Sequence, residues 1–275
     1  LFPYTTLFRS ESYGIEQFSE SGPVYKIEVS ILKDVVTLTI DTTGPGLHKR
    51  GYRELAGIAP LKETLAASML LISRWNDEFE LIDPFCGSGT ILVEAAMIAL
   101  NIAPGVNRNF VCETWPSMDK DMFESVRDGA RNSEKHKDLK IIGYDIDYKT
   151  LKVAMENAKK AGVDKYIQFQ KRDFMEFSTS RKYGFIVSNP PYGERIGEKK
   201  ALDELYKHMG ATKRRLDSWD FNILTSFEPF EKTLGVKSTK NRKLYNGKIK
   251  CYYYQYFNND KIKSDGDTLI KAIIG

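Results

Sequence analysis

The sequence lacks the features of a membrane, disulfide-rich or metal-binding protein. It has no run of ~18 uncharged apolar residues, and its start lacks the basic and apolar stretches of a secretory signal. Its three cysteines, Cys86, Cys112 and Cys251, are too scattered for a disulfide framework or a CxxC metal knuckle. Its three histidines have no metal-ligand spacing. We therefore predict a reduced, cytoplasmic protein with no metal and no obligate protein partner.

Positive charge is concentrated near the end of the sequence. Residues 232–263 contain nine lysines and arginines and a single acid, Asp260, in a chain whose net charge is +4. The same block is rich in tyrosine, with Tyr245, Tyr252, Tyr253, Tyr254 and Tyr256. Basic residues interleaved with aromatic ones suit a phosphate backbone and unstacked bases. A solvated pair of strands with ordinary core tyrosines has the same composition, so charge alone leaves both interpretations open.

The first 45 residues differ from the rest. LFPYTTLFRS back-translates, codon for codon, to the read-through of a widely used sequencing-library adapter, so we predict that residues 1–10 are not native and that the natural protein extends further upstream. Residues 11–45 contain two short alternating strands joined near Lys33 and Asp34, which indicates the end of a small β-containing domain. The main domain is predicted to span residues 46–275.

In the main domain, predicted strands alternate with predicted helices. Such alternation is typical of an α/β fold with a mostly parallel sheet covered on both faces. Residues 104–134 interrupt the pattern as a polar insert with one helix, and Pro60 is placed to open an earlier helix. At the end of the domain, Asn246 and Gly247 form the strongest two-residue turn signal and predict an antiparallel hairpin.

Residues 83–90, with the sequence DPFCGSGT, stand where a strand is predicted to end and a helix to begin. Ligands of open α/β sheets bind at such strand ends, and glycines let a ligand approach the backbone. A dinucleotide fingerprint needs a third glycine where Leu92 stands, and a P-loop needs a Gly-Lys-Ser/Thr that is absent. The motif suits a ligand with a cationic amino-acid part, because Asp83 can accept an ammonium or sulfonium; a tight structural turn is the alternative.

Acidic residues follow the next two predicted strands. Asp145 is the candidate for accepting both hydroxyls of a ribose, whereas Asp147 could instead cap the helix that begins near Tyr148. Asp173 follows the third strand and could meet an adenine amino group, with Phe174 against the ring. This third signal is weak, and a surface turn explains it equally well.

The fourth strand end carries Asn189, Pro190, Pro191 and Tyr192. Two prolines fix an extended, rigid loop, so the Asn189 side-chain oxygen and the Pro190 carbonyl would be held at the ligand edge of the sheet. Two fixed acceptors can hold a planar exocyclic amine and direct its lone pair, while Tyr192 offers a flat face for stacking. A proline-rich turn capped by asparagine is the structural alternative.

The motifs DPFCGSGT, GYDID, RDF and NPPYG, in this order, resemble those of class I S-adenosylmethionine-dependent methyltransferases acting on exocyclic amines of nucleic acids. LHKRGYRELAGIAPLKETLAA, DPFCGSGTILVEAAMIALNIAPG, NPPYGERIGE and RKLYNGKIKCYYYQYF resemble more closely the bacterial RlmL-type 23S rRNA guanine-N2 methyltransferases, which carry an N-terminal THUMP RNA-binding domain. The resemblance covers about residues 24–257. It implies a Rossmann-like methyltransferase sheet, S-adenosyl-L-methionine as cofactor, 23S rRNA as partner, and a C-terminal THUMP remnant in residues 11–45.

The resemblance also implies the site residues. It assigns the target amine to the loop of Asn189, Pro190, Pro191 and Tyr192. It assigns the cofactor to Lys62, Thr64, Asp83, Phe85, Cys86, Gly87, Ser88, Gly89, Thr90, Asp145, Ile146, Asp173, Phe174 and Asn189. The basic residues that we predict to contact RNA are Arg50, Arg53, Arg195, Lys243, Lys248 and Lys250.

Several other functions remain open or are disfavoured on specific residues. Adenine-N6 methylation and tRNA guanine-N2 methylation remain open, because an NPPY loop serves either amine. A non-catalytic RNA-binding module would need a broken cofactor site, yet every motif position is suitably filled. Leu92 disfavours a nicotinamide-dependent oxidoreductase. Carbon methylation needs a cysteine nucleophile, whereas Cys86 in the cofactor loop is interpreted as a packing residue.

Overall fold

The computed structural model describes residues 11–12, 14, 21–53, 61–193 and 199–258. Its internal contacts divide the chain into two compact units. One unit consists of Leu1–Gly46 and Asn109–Ser125, and the other of Leu47–Arg108 and Val126–Gly275. Part of the insert predicted at residues 104–134 therefore groups with the N-terminal residues.

The first unit contains a β-hairpin of β1 (Lys26–Leu32) and β2 (Val35–Asp41). Lys33 and Asp34 form its turn and both have a positive φ, at 50° and 61°, which suits the twist of the flanking strands. The Trp115 indole donates a hydrogen bond to the Val24 carbonyl over 2.9 Å. Segment 109–125 is thereby joined to the chain just before β1.

The second unit is built from a sheet and the helices that cover it. Its strands are β3 (Leu81–Asp83), β4 (Ile141–Asp145), β5 (Ile167–Lys171), β6 (Gly184–Ser188), β7 (Trp219–Thr225), β8 (Lys240–Asn246) and β9 (Ile249–Tyr256). The helices are α1 (Glu63–Ile72), α2 (Thr90–Ala99), α3 (Lys120–Asn132), which begins in the first unit, α4 (Tyr148–Lys160), α5 (Lys199–Arg215) and α6 (Phe230–Leu234). Pro60, predicted to open α1, lies outside the described residues.

The seven strands lie in the order β5-β4-β3-β6-β7-β9-β8. Strands β3 to β7 are parallel, and β9 pairs antiparallel with both β7 and β8. The predicted Rossmann-like fold with a terminal antiparallel hairpin is confirmed. The chain first builds outward from β3 to β5 and then returns to place β6 on the other side of β3, so β3 and β6 flank the topological switch point where ligands bind.

Both faces of the sheet are buried at its centre. Leu81 packs into an apolar cluster with α1 and α2, whereas its neighbour Ile82 packs into a cluster with α5. All residues of β6 and β7 are buried, as expected for parallel strands with helices on both sides. None of the described helices has the length and apolar character required to cross a bilayer. The carboxyl ends of β3, β4, β5 and β6 consequently meet at one edge of a rigid sheet.

Candidate active site

The glycine motif forms the turn between β3 and α2. Gly87 and Gly89 have φ values of 53° and 79°, which side-chain-bearing residues rarely adopt. A Cβ atom on Gly89 would also lie only 3.0 Å from Cβ of Ala154 on α4. Glycine is therefore required at position 89 for both conformation and space, and the turn presents the N-terminus of α2 at the ligand edge.

Asp83 lies beneath this turn and connects two strand ends. Its Oδ1 accepts hydrogen bonds from Ser188 Oγ over 2.5 Å and from the Phe85 backbone N–H over 3.1 Å. Ser188 ends β6, so the carboxyl group joins β3 to β6 at the switch point. Desolvation by burial outweighs these hydrogen bonds and raises the pKa of Asp83 to about 7. A nearby cation would therefore favour ionisation of this group.

We expect the Asp83→Asn variant to remove a pH dependence of the free energy of unfolding. The pKa rises from 3.8 to about 7 on folding, so the folded state holds the proton more tightly. The wild type should lose stability as the pH rises from about 4 to about 7, by up to roughly 4 kcal/mol. Urea unfolding across this range should show the variant gaining stability relative to the wild type. A difference that stays constant with pH would contradict the burial argument.

Asp145 is held at the end of β4 by two backbone hydrogen bonds. Its Oδ2 accepts from the Gly87 N–H over 3.1 Å, and its Oδ1 accepts from the Asp147 N–H over 2.9 Å. Each carboxylate oxygen retains capacity for a further donor, such as a ribose hydroxyl. Asp147 caps α4 by accepting hydrogen bonds from the Lys149 N–H and the Thr150 hydroxyl. The two acids of GYDID thus have different contacts: Asp145 is bonded to the glycine turn, whereas Asp147 caps α4.

Asp173 and Phe174 follow β5. The Asp173 carboxylate accepts a hydrogen bond from the Met175 N–H over 2.9 Å and so caps the short 3₁₀ turn at 174–176. The Phe174 ring is 2% exposed, with ring centroids 5.1 Å from Phe85 and 5.7 Å from Phe177. Asp173 thus caps the turn and also lines the cavity at the strand ends, while Phe174 forms part of an aromatic wall beside them.

The proline loop after β6 is braced by its own side chains and by α5. The Tyr192 hydroxyl donates a hydrogen bond of 2.5 Å to Oδ1 of Asn189, and the Tyr206 hydroxyl of α5 donates one of 3.0 Å to the Pro191 carbonyl. Pro190 is buried, whereas Pro191 is exposed. These contacts fix the orientation of the Asn189 carboxamide, because its oxygen must face the tyrosine.

The Tyr192→Phe variant should lower the rate of the methyl transfer expected from the sequence about tenfold. The change frees the Asn189 carboxamide to rotate while it keeps an aromatic ring at position 192. Cys251 of β9 also contacts the Tyr192 hydroxyl, with Sγ 3.6 Å away. The Cys251→Ala variant is the matched control, since it removes this weaker neighbour and leaves the bond to Asn189. Single-turnover kinetics at saturating substrate should separate the variants, and an unchanged rate for Tyr192→Phe would show that the hydroxyl does not orient Asn189.

A cavity of about 390 Å³ brings these strand ends together. Its lining consists of Pro84, Phe85, Asp145, Ile146, Asp173, Phe174, Asn189, Pro191 and Leu205. Of these lining residues, only Pro84 and Leu205 were not among the site residues predicted from the sequence. Leu205 lies on α5, and its sole signal is an apolar position at helical spacing, which a core residue shares. A second cavity of about 490 Å³ shares Ile146, Pro191 and Leu205 with the first.

Other predicted cofactor residues lie outside the described lining of this cavity. Burial raises the pKa of the Cys86 thiol well above its ordinary value, so this cysteine does not supply a thiolate. Ser88 and Thr90 lie in the glycine turn with their hydroxyl oxygens 3.3 Å apart. Lys62 is exposed immediately before α1, and Thr64 is half-buried in the first turn of that helix.

Arg50 and Arg53 lie in ion pairs rather than on an open basic surface. The Arg50 guanidinium is 3.2 Å from the Glu94 carboxylate of α2, and Arg53 is 3.4 Å from that of Glu63 in α1. Arg53 also donates hydrogen bonds to Thr90 Oγ1 and to the Leu61 carbonyl. These ion pairs join residues 50–53 to the two helices around the glycine turn. Contact of Arg50 and Arg53 with RNA stays a prediction.

The remaining predicted RNA contacts are on or near the terminal hairpin. Lys243, Lys248 and Lys250 are exposed on β8, the turn and β9. Arg195 lies outside the described residues. Among the residues that are described, no group of three or more His, Cys, Asp or Glu side chains is arranged to hold a metal ion.

The fold and this site define a Rossmann-like methyltransferase. The chain belongs to the family described as RMKL-like, methyltransferase domain, whose model matches residues 50–255. It is 48% identical over 240 residues to the putative RNA methyltransferase YpsC of Bacillus subtilis, covering 87% of this chain and 62% of that protein. It is 40% identical over 238 residues to the ribosomal RNA large subunit methyltransferase K/L of Legionella pneumophila, covering 84% of this chain and 34% of that protein.

Solved structures agree with this family. SMU.472, described as a putative methyltransferase complexed with SAH, superposes with a TM-score of 0.84 at 41% identity, covering 93% of this chain and 68% of that one. A protein from Listeria monocytogenes, described as a predicted N6-adenine-specific DNA methylase, superposes with a TM-score of 0.83 at 46% identity, covering 91% of this chain and 65% of that one. The chain thus spans about two thirds of these proteins and a third of the K/L methyltransferase.

Proposed function

We propose that the protein transfers a methyl group from S-adenosylmethionine to the exocyclic N2 amine of a guanine in 23S rRNA. The observation that carries this proposal is a shared cavity: Asn189, suited to an amine, lines the same cavity as Asp145, suited to a ribose. The complex of SMU.472 with SAH supports the cofactor, and the name of the K/L relatives supports ribosomal RNA as the substrate.

The residues of the cavity fit the cofactor in three places. Asp145 would accept the ribose hydroxyls, and the turn at Gly87 and Gly89 would place the N-terminus of α2 beside the methionine part. Asp173 would accept from the adenine amino group, with Phe174 and Ile146 beside the ring. When bound, S-adenosylmethionine would supply a methyl group on a sulfonium. The N–C bond would form as the C–S bond breaks, S-adenosylhomocysteine would leave as a neutral thioether, and the amine proton would pass to solvent, so no covalent enzyme intermediate is needed.

The residues of the proline loop would position the target amine. Asn189 Oδ1 and the Pro190 carbonyl accept its two N–H groups and direct the nitrogen lone pair at the methyl group. Tyr192 offers its ring to the base, which must be flipped out of any helix. Catalysis is mainly positioning in this scheme, and Pro191 contributes by stiffening the loop. The buried Cys86 does not act as a nucleophile in this scheme.

We also propose that residues 11–45 are the end of a THUMP RNA-binding domain and that residues 46–275 are the methyltransferase domain. The hairpin supports this because one of its faces carries only aliphatic side chains, each more than half exposed: Ile27, Val29, Ile31, Val36, Leu38 and Ile40. An amphipathic hairpin of this kind is expected to pack against further structure. The proposed reaction on ribosomal RNA takes place in the cytoplasm.

Adenine N6 is the second candidate, because the Listeria structure carries that description and an NPPY loop serves either amine. Two transcripts of one 23S rRNA segment distinguish guanine N2 from adenine N6 as the target. In one transcript every guanine outside the base-paired stems is replaced, and in the other every adenine outside them is replaced. Incubation with methyl-labelled S-adenosylmethionine should label only the transcript that retains guanine, and nucleoside digestion should yield N2-methylguanosine. Label in N6-methyladenosine would overturn the assignment of the base.

A further inference from the structure

The exposed face of the terminal hairpin alternates lysine and tyrosine. Lys243 pairs with Tyr252 across the strands, and Tyr245 pairs with Lys250, so all four side chains share one face. The Lys243 ammonium lies 5.5 Å from the Tyr245 ring centroid, and the Lys250 ammonium lies 5.6 Å from that of Tyr252. Tyr245 is 55% exposed, so its ring is accessible to a planar partner.

The other face of the hairpin anchors it to the core. Cys251 and Tyr253 are fully buried, and the Tyr253 hydroxyl donates a hydrogen bond of 2.9 Å to the Met69 carbonyl of α1. Because this face is fixed and Tyr252 is half-buried against the apolar cluster that contains Ile82, the exposed side chains of Lys243, Tyr245 and Lys250 project from a rigid hairpin. An aromatic ring held in place gives up little conformational entropy when a partner stacks on it.

The lysine–tyrosine face begins at the edge of the sheet that carries the proposed active site. Strand β9 runs antiparallel to β7, and Tyr252 pairs with Thr225 at the carboxyl end of β7. Cys251, between Lys250 and Tyr252, reaches Tyr192 of the proline loop with Sγ 3.6 Å from its hydroxyl. An RNA strand that places one base in the cavity would therefore have its adjacent nucleotides next to this face.

We propose that the face of Lys243, Tyr245, Lys250 and Tyr252 binds unpaired nucleotides that flank the target guanine; this rests on the proposed function. A base stacks on the exposed ring of Tyr245, and the two ammonium groups bind phosphates. Residues 232–258 contain no acid, so nothing within this block opposes an anionic partner. Single-stranded RNA fits this arrangement better than a duplex does, because only unpaired bases offer their faces while both offer phosphates.

Fluorescence anisotropy with a labelled single-stranded RNA and the same RNA in a duplex tests this, without cofactor. Tyr245→Ala should weaken binding of the single strand roughly 5- to 100-fold and leave the duplex nearly unchanged, whereas Tyr245→Phe should bind like the wild type. Lys250→Glu should weaken both and reduce the salt dependence. Lys182→Glu is the control, because Lys182 lies 5.5 Å from the Tyr183 ring just before β6, at the opposite edge of the sheet, and should have little effect.

The outcomes separate this inference from the proposed function. The stacking face would be overturned if the wild type bound RNA and Tyr245→Ala bound it with the same affinity. It would also be overturned if Tyr245→Ala lost the same affinity for the single strand and the duplex. Either result would leave the proposed methyl transfer standing. Equal losses of RNA affinity in Lys250→Glu and Lys182→Glu would show that binding depends on net charge alone, which would also overturn the inference. Failure of the wild type to bind either RNA would also overturn the inference, whereas the proposed methyl transfer is tested separately on 23S rRNA.

Discussion

Replacing Asn189 by alanine is expected to lower the rate of methyl transfer roughly 10²- to 10³-fold, by analogy with the loss of one positioned donor in an oxyanion hole. The reason is geometric. Asn189 begins the loop after β6, lines the cavity, and has its carboxamide oxygen oriented by the Tyr192 hydroxyl. Without that oxygen, the target amine would lose one of the two fixed acceptors that we propose for it and much of its alignment.

Cofactor affinity should remain close to that of the wild type in the same variant, because Asp145 and the glycine turn are untouched. Calorimetric titration with S-adenosylmethionine and single-turnover kinetics measure the two quantities separately. Asn189→Asp is a useful second variant, since it keeps an acceptor at the same place. An alanine variant that methylates within a few-fold of the wild type would mean that the proline loop is structural only.

The Asp145→Ala variant is expected to weaken binding of S-adenosylmethionine at least about a hundredfold. The carboxylate would accept two ribose hydroxyls, and hydrogen bonds to a charged group contribute about 1.5–3 kcal/mol each. Its removal also frees the Gly87 N–H, which is bonded to Asp145 Oδ2, so the glycine turn loses part of its support.

Asp147→Ala is the matched control for this experiment. Asp147 is the next acid along the same segment, but it caps α4 through Lys149 and Thr150. Its loss should cost about 1 kcal/mol of stability, as for other helix caps, and leave cofactor affinity intact. If calorimetry gave the same affinity for Asp145→Ala and the wild type, Asp145 would not be the ribose acceptor.

Local patterns predicted the fold and most of the cavity lining. Features that depend on residues close in sequence can be recognised from the sequence alone. They include the alternation of strands and helices, the Asn246–Gly247 turn and the strand-end motifs. Every parallel strand also places its carboxyl end at the same edge as its neighbours. Asp145, Asp173 and Asn189 could therefore be expected to meet although they are far apart in the chain.

Long-range side-chain partners could not be predicted in this way. Arg50 follows Lys49 in the sequence and so suggests a basic surface, but Glu94 follows 44 residues later and pairs with it. The bond between Tyr192 and Asn189 is local, yet the contact of Tyr192 with Cys251 depends on where the hairpin closes the sheet. The grouping of segment 109–125 with the N-terminal hairpin likewise left no local signal in the sequence.

Mass spectrometry of 23S rRNA tests the central claim most directly. Unmodified 23S rRNA at high concentration would be incubated with S-adenosylmethionine and either the wild type or Asn189→Ala, then digested to oligonucleotides and nucleosides. We predict N2-methylguanosine at a single position with the wild type and almost none with the variant. Methylation of adenine, methylation at many unrelated guanines, or equal products from both proteins would contradict the account.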